Sequence, residues 1–311
     1  MSGPTRLSVR LPRLTPRRRD DPEPCPRWQP VELEGRGTTW AIDRPGPDGH
    51  APTVVLLHGL AATGALNWDP VIDALTDRFR VIALDHRGHG NGIVPTESFT
   101  LEDCADDLAA LLQARRVNRA VLVGYSMGGA IAQLTWRRHP ELVAGLVLLA
   151  TAARFETVPP STVADQLAAE ARRHRERLPP AWQAILHLHD ATRALAGFDA
   201  RPWLGSCTRP AAVLITTNDR TVPPRLQHEL ASTLPDVRVA EVAGGHLLPI
   251  LDRRRTTGAL LAAGEAIAAE AGLGLRWWEI PSRHLIRLAR RVSIPLRGGR
   301  TPTISDHGRD R

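Results

Sequence analysis

Five short runs of almost unbroken apolar sequence punctuate the chain: TVVLL at 53–57, RVIAL at 80–84, AVLV at 120–123, GLVLLA at 145–150 and AAVLIT at 211–216. Each is too short for a buried helix and lacks a polar face, so it reads as a strand covered on both sides. Strands of that kind belong to a mostly parallel sheet with helices packed on its two faces. Two further strands are expected near Thr38–Asp43 and Val237–Val242. Helical spacing fills the intervals near Asn67–Arg78, Thr100–Arg116, Met127–His139, Pro224–Thr233 and Arg253–Glu270. Thr100, with Asp103 three positions on, is the expected cap of the second of these helices.

The rhythm breaks once. From Ala152 to Thr208 the chain runs through helical, Arg-rich sequence interrupted by Pro159-Pro160 and Pro179-Pro180. A gap of about 55 residues is too long for a structureless connection, so a small helical lid over one sheet edge is expected. The 311 residues then divide into a disordered basic tail (1–30), a core (31–151 and 209–272), a lid (152–208) and a basic C-terminal extension (273–311). A hydrophobic fraction of 42% is enough to fill such a core, which argues against wholesale disorder.

All 40 basic residues are arginine, and the net charge of +7 sits at the ends. Residues 1–30 carry +4 and residues 276–311 carry +6, so the stretch between is about −3. A nucleic-acid partner would therefore rest on two tails, and none is expected. Cys25, Cys104 and Cys207 are too few and scattered for a disulfide framework or a cysteine metal site. TPRRRDD near the N-terminus echoes a twin-arginine signal, but PEPCPRW follows it without an apolar stretch. The longest apolar run, Leu142 to Ala153, is too short to cross a bilayer. A soluble cytoplasmic protein is the expectation.

One strand ends unusually, in VLVGYSMGGAIAQL at 121–134. Gly-x-Ser-x-Gly between a strand and a helix is the setting in which a serine can be held strained and exposed as a nucleophile. Gly124 and Gly128 leave room for that turn, and the helix N-terminus brings N–H groups and partial positive charge to Ser126. A serine hydroxyl also needs a base, and the base an orienting acid. AAVLITT is followed by Asn218-Asp219-Arg220, and VRVAEV by Ala243-Gly244-Gly245-His246. Asp219 and His246 thus fall where parallel strands would deliver them to the edge that carries Ser126. For the oxyanion, the N–H of Met127 and that of Leu60, after TVVLLHG, are the candidate donors. His58 is expected to brace its loop, and Asp85 and Arg87 in LDHRGHG to pack the sheet edge.

Taken together, LLHGL, LDHRGHG, GYSMGG, NDRTVP and GGH resemble the α/β-hydrolase superfamily, and are most similar to its esterase, lipase and perhydrolase-like group with a helical lid. The resemblance covers residues 31–270. It implies an α/β fold with a mostly parallel sheet of the eight-stranded type, flanked by helices, the lid inserted after the sixth strand. It further implies Ser126 as nucleophile, His246 as base, Asp219 as orienting acid, and Leu60 and Met127 as oxyanion hole. No cofactor and no metal are expected. Asn91 stands where many relatives have Ser, and the tail beyond residue 275 has no family counterpart.

The reading is an enzyme that cleaves a carboxylic ester, its partner a small-molecule ester that could be lipid-like. Cofactor-free perhydrolase or haloperoxidase chemistry and C–C bond hydrolysis use the same triad and stay open. A non-catalytic binding protein would be expected to lack a triad member, and an Asp-nucleophile dehalogenase to lack Ser126. HLHD at 187–190 reads as helix surface in preference to metal ligands. Trp182, Trp203, Phe155 and Phe198 read as lid packing, some lining an acyl pocket. The C-terminal RWWEIPSRHLIRLARRVSIPLR has an amphipathic pattern; packing on the body or a second subunit is favoured over a peripheral membrane anchor.

Overall fold

The computed structural model describes residues 5–7, 28–96, 98–156 and 180–273. In chain order the elements are β1 (Thr5–Arg6), β2 (Gln29–Leu33), β3 (Gly37–Arg44), β4 (Thr53–Leu57), α1 (Gly64–Thr76), β5 (Arg80–Leu84) and α2 (Leu101–Ala114). There follow β6 (Ala120–Tyr125), α3 (Met127–Arg138), β7 (Val143–Leu149), α4 (Pro180–Ala196) and α5 (Arg201–Leu204). The chain then forms β8 (Ala211–Thr216), α6 (Pro224–Thr233), β9 (Val237–Val242), α7 (Leu248–Leu251) and α8 (Arg253–Glu270). The strands make one sheet in the order β1-β9-β8-β7-β6-β4-β5-β3-β2. β3 runs antiparallel to β2 and β5, and the remaining neighbours are parallel.

The apolar runs are continuous because both faces of the sheet are buried. In β4, Val55 and Leu57 join a cluster with α2 and α3, while Val54 and Leu56 join one with α1 and α8. β8 divides the same way, Val213 and Ile215 to the first side and Ala212 and Leu214 to the second. The α1 face supplies Trp68, Val71, Ile72 and Leu75, all buried. Thr100 caps α2, its hydroxyl accepting from the Asp103 N–H at 3.0 Å.

Two features depart from expectation. The sheet has nine strands, because Thr5–Arg6 adds an edge strand beside β9, with Thr5 opposite Arg238. Gln29 and Pro30 likewise belong to β2. The segment 1–30 is therefore not structureless throughout: edge strands are held by backbone hydrogen bonds and need no apolar face to pair. The insertion follows β7 in this count. Of the expected lid, 152–208, residues 157–179 lie outside the described residues. The described part carries α4 and α5, whose Ala191, Leu195 and Leu204 are buried on the α2 and α3 side. Its two stems meet where the Ala200 N–H donates to the Ala153 carbonyl at 2.7 Å. Arg154 pairs with Glu229 at 3.1 Å and Glu156 with Arg225, tying the first stem to α6.

A buried carboxylate closes the antiparallel end. Asp107 of α2 is 2% exposed and receives Arg87 Nε and Nη2 at 2.6 and 2.7 Å. Arg36, in the turn between β2 and β3, donates to it from Nε at 2.5 Å. One side chain thus joins the hairpin, the loop after β5 and a core helix. Asp107→Ala is expected to cost about 3 kcal/mol, toward the low end for breaking a buried pair, since the guanidiniums retain Asp103 and some solvent. A lowered urea midpoint at unchanged slope would register it; a loss under about 1 kcal/mol would mean the clamp holds little.

Candidate active site

Ser126 links β6 to α3 at φ 52°, ψ −119°. For a residue with a Cβ this conformation costs about 1–3 kcal/mol and persists only when the surroundings enforce it. Here they do. A side chain on Gly124 would run into the backbone of Gly128 and Gly129, and one on Gly128 into the carbonyls of Leu57 and His58. The start of α3 is therefore pressed onto the ends of both β6 and β4. The Ser126 N–H donates to the Leu149 carbonyl at 3.0 Å, and its own carbonyl accepts from the Gly129 N–H at 2.9 Å and Thr151 Oγ1 at 2.7 Å.

Because β6, β8 and β9 run parallel, their C-terminal ends lie on one edge. There His246 Nε2 stands 3.0 Å from Ser126 Oγ, and His246 Nδ1 stands 2.8 Å from Asp219 Oδ2. The two oxygens of Asp219 are differently engaged. Oδ1 accepts the Thr221 and Val222 N–H groups at 2.9 and 2.8 Å, whereas Oδ2 accepts Thr216 Oγ1 at 2.9 Å beside the imidazole. Burial alone would raise the Asp219 pKa, but the bonds from His246, Val222 and Thr216 outweigh it and hold the carboxyl below its ordinary value. The group is accordingly an anion aimed at Nδ1, which favours the tautomer whose Nε2 can accept a proton.

The two residues expected to supply backbone donors lie in segments next to the serine. Met127 opens α3, so its N–H has no acceptor one turn back within the helix. Leu60 follows Gly59, where an added Cβ would lie 3.4 Å from Ser126 Cβ. Asn67 Oδ1 accepts the Gly59 N–H at 3.0 Å, and Ala61 takes φ 58°, so this peptide stretch is held in a defined turn beside Ser126.

The other singled-out residues brace the edge. His58 is fully buried, with Nδ1 donating to the Gly59 carbonyl at 2.8 Å and Nε2 accepting from the His86 N–H at 2.9 Å. Burial, with His89 close by, lowers its pKa to about 3, so it stays neutral. Asp85 accepts the Gly64 and Asn91 N–H groups at 2.7 and 2.9 Å, which is the place Asn91 takes in the turn. The expected helix surface at HLHD needs correction: His187 is buried, because α4 crosses the loop after β5, where a Cβ on Gly88 would lie 3.2 Å from that of His187. Among the described residues no group of three His, Cys, Asp or Glu side chains is arranged to hold a metal. Phe155, Phe198 and Trp203 form one cluster, with Trp203 stacked on Trp136 at 6.2 Å. The side chain of Trp182 and the C-terminal amphipathic segment lie outside the described residues, among which no helix is long and apolar enough to cross a membrane.

Several supporting residues were not legible beforehand. Gln227 is fully buried, accepts the Thr216 N–H through Oε1 at 3.0 Å and donates through Nε2 to Thr216 Oγ1 at 2.9 Å and the Val222 carbonyl at 2.7 Å. It thereby sets the floor under Asp219. Its only sequence signal is a polar residue on the inward face of α6, beside Leu226 and Leu230. Thr151 had none.

Residues 52–185 match the sequence model of the alpha/beta hydrolase fold family. A curated protein of Serratia proteamaculans that bears the name carbamate hydrolase RutD is 31% identical over 233 residues, covering 65% of this chain and 86% of that protein. A hydrolase from Pseudomonas aeruginosa PA01 aligns in structure with a TM-score of 0.63 at 24% identity, covering 77% of this chain and 98% of that one. The enol-lactonase from Burkholderia xenovorans LB400 aligns with a TM-score of 0.60 at 25% identity, covering 75% and 98%.

Proposed function

The chain belongs to the α/β-hydrolase fold family and is a hydrolase, and on that premise we propose that it cleaves a carboxylic ester through an acyl-enzyme formed on Ser126. The observation that carries the reading is the unbroken relay from Ser126 Oγ through His246 to Asp219, at 3.0 and 2.8 Å. Ser126 Oγ attacks the acyl carbon as its proton passes to His246 Nε2. The Leu60 and Met127 N–H groups hold the oxyanion of the tetrahedral intermediate. Collapse breaks the bond to the leaving oxygen, which takes the proton from Nε2 and departs as the alcohol. Water, deprotonated by the same nitrogen, then attacks the acyl-enzyme; the bond to Ser126 Oγ breaks, Oγ takes the proton back from Nε2, and the acid is released.

One feature supports an apolar acyl group, and the names of the relatives support attack on an acyl carbon. Phe155 packs with Ala152, Val222 and Leu226, and Ala152 adjoins the Thr151 that holds the Ser126 carbonyl. The names of the relatives refer to a carbamate and an enol-lactone, both of which present an acyl carbon bonded to a heteroatom.

The test is labelling by a fluorophosphonate, whose fluoride is displaced by Ser126 Oγ, followed by turnover of p-nitrophenyl esters of graded chain length beside a lactone and a carbamate. Labelling with fastest turnover of an ester is the expected result. Labelling with turnover of the carbamate alone would replace the ester assignment, turnover of the lactone alone would narrow it to cyclic esters, and an unlabelled protein would remove the serine mechanism.

A further inference from the structure

We propose that Tyr125 is a positioning residue for His246, fastening the loop that bears the imidazole to the strand that bears Ser126; the inference rests on the triad reading above. Tyr125 is the single tyrosine of the chain, is 3% exposed, and immediately precedes Ser126. Its hydroxyl donates to the main-chain carbonyl of His246 at 2.7 Å, across 121 positions of sequence. A buried phenol needs an acceptor, and this one finds it on the residue that carries the base.

The phenol ring is itself immobilised. It lies edge-on to Trp68 at 6.4 Å, and a Cβ on Gly59 would come within 2.8 Å of it. Its ring also stands 5.3 Å from the imidazole of His246, tilted by 38°. The neighbouring ties of the loop are backbone bonds, Asn218 N–H to the Gly244 carbonyl at 2.9 Å and Leu248 N–H to the Gly245 carbonyl at 3.1 Å. The hydroxyl is thus a link from the elbow to the peptide of residue 246. Phenylalanine would keep the packing and lose only that link. Proton transfer between Ser126 and His246 depends steeply on their alignment, so a loosened carbonyl acts on the rate more than on substrate binding.

Tyr125→Phe in the full chain tests this directly. Thermal unfolding verifies that the variant folds, and the low-field proton on His246 Nδ1, identified by its loss in His246→Gln, reports the imidazole without any turnover. The expected result is kcat about tenfold lower with KM changed less than about twofold, and an Nδ1–H resonance shifted or broadened by exchange. A folded variant with the wild-type kcat, or with that resonance unmoved, overturns the assignment. Should the wild-type protein cleave no ester, that reading fails by itself and the resonance alone decides the role of Tyr125.

Discussion

Ser126→Ala is expected to lower kcat on a short p-nitrophenyl ester by about a millionfold and to abolish fluorophosphonate labelling, with little change in thermal stability. The substitution removes one oxygen. Alanine keeps the Cβ, and the turn is held by the backbone of Ser126, through Leu149, Gly129 and Thr151, so the strained φ survives. His246 would then face no hydroxyl at 3.0 Å and could only activate water. Residual catalysis would come from the backbone donors and substrate placement. The measurement is initial rate against enzyme titrated for active sites, since traces of wild type would otherwise dominate. More than about a hundredth of the wild-type rate would place the nucleophile elsewhere.

Asp219→Asn should lower kcat about ten-thousandfold, although it only replaces one oxygen by nitrogen. The hydrogen bonds explain why. Oδ1 faces two backbone N–H groups, from Thr221 and Val222, which accept nothing, so the amide oxygen of asparagine must take that side. Its NH2 is then forced to the position of Oδ2, 2.8 Å from His246 Nδ1. There it donates to the imidazole and drives the ring proton onto Nε2, the atom that must accept from Ser126. The ring keeps its place and loses its function as base. Rates measured across pH, with a crystal structure or NMR tautomer assignment of His246, check both halves. A rate within about a hundredfold of wild type would show that the carboxylate does not set the tautomer.

How far these residues were legible in the sequence follows from how each is held. The interior strands β4, β5, β6, β7 and β8 were readable because burial on both faces leaves a continuous apolar run. β1 and β2 were not: TR and QPVEL are short, largely exposed, and paired through backbone groups that every sequence possesses. Ser126, Asp219 and His246 were legible because each lies within four residues of the C-terminal end of a strand, and a parallel sheet brings such positions to one edge. Tyr125, Thr151 and Gln227 had no such marker. Their side chains act on partners chosen by packing, and a tyrosine at the end of an apolar strand reads as core until its hydroxyl is seen to reach residue 246.

By itself the sequence determined the layered parallel sheet, the strained serine turn and the order of the three polar residues, since these follow from local apolar patterning and from glycine at two crowded positions. Only the tertiary structure decided how those residues are held: which oxygen of Asp219 meets the imidazole, what braces it from below, and what ties the loop of His246 to the serine strand. Those choices depend on contacts between elements far apart in the chain, whose distances are set by the register of β6, β8 and β9 and by helix packing against them.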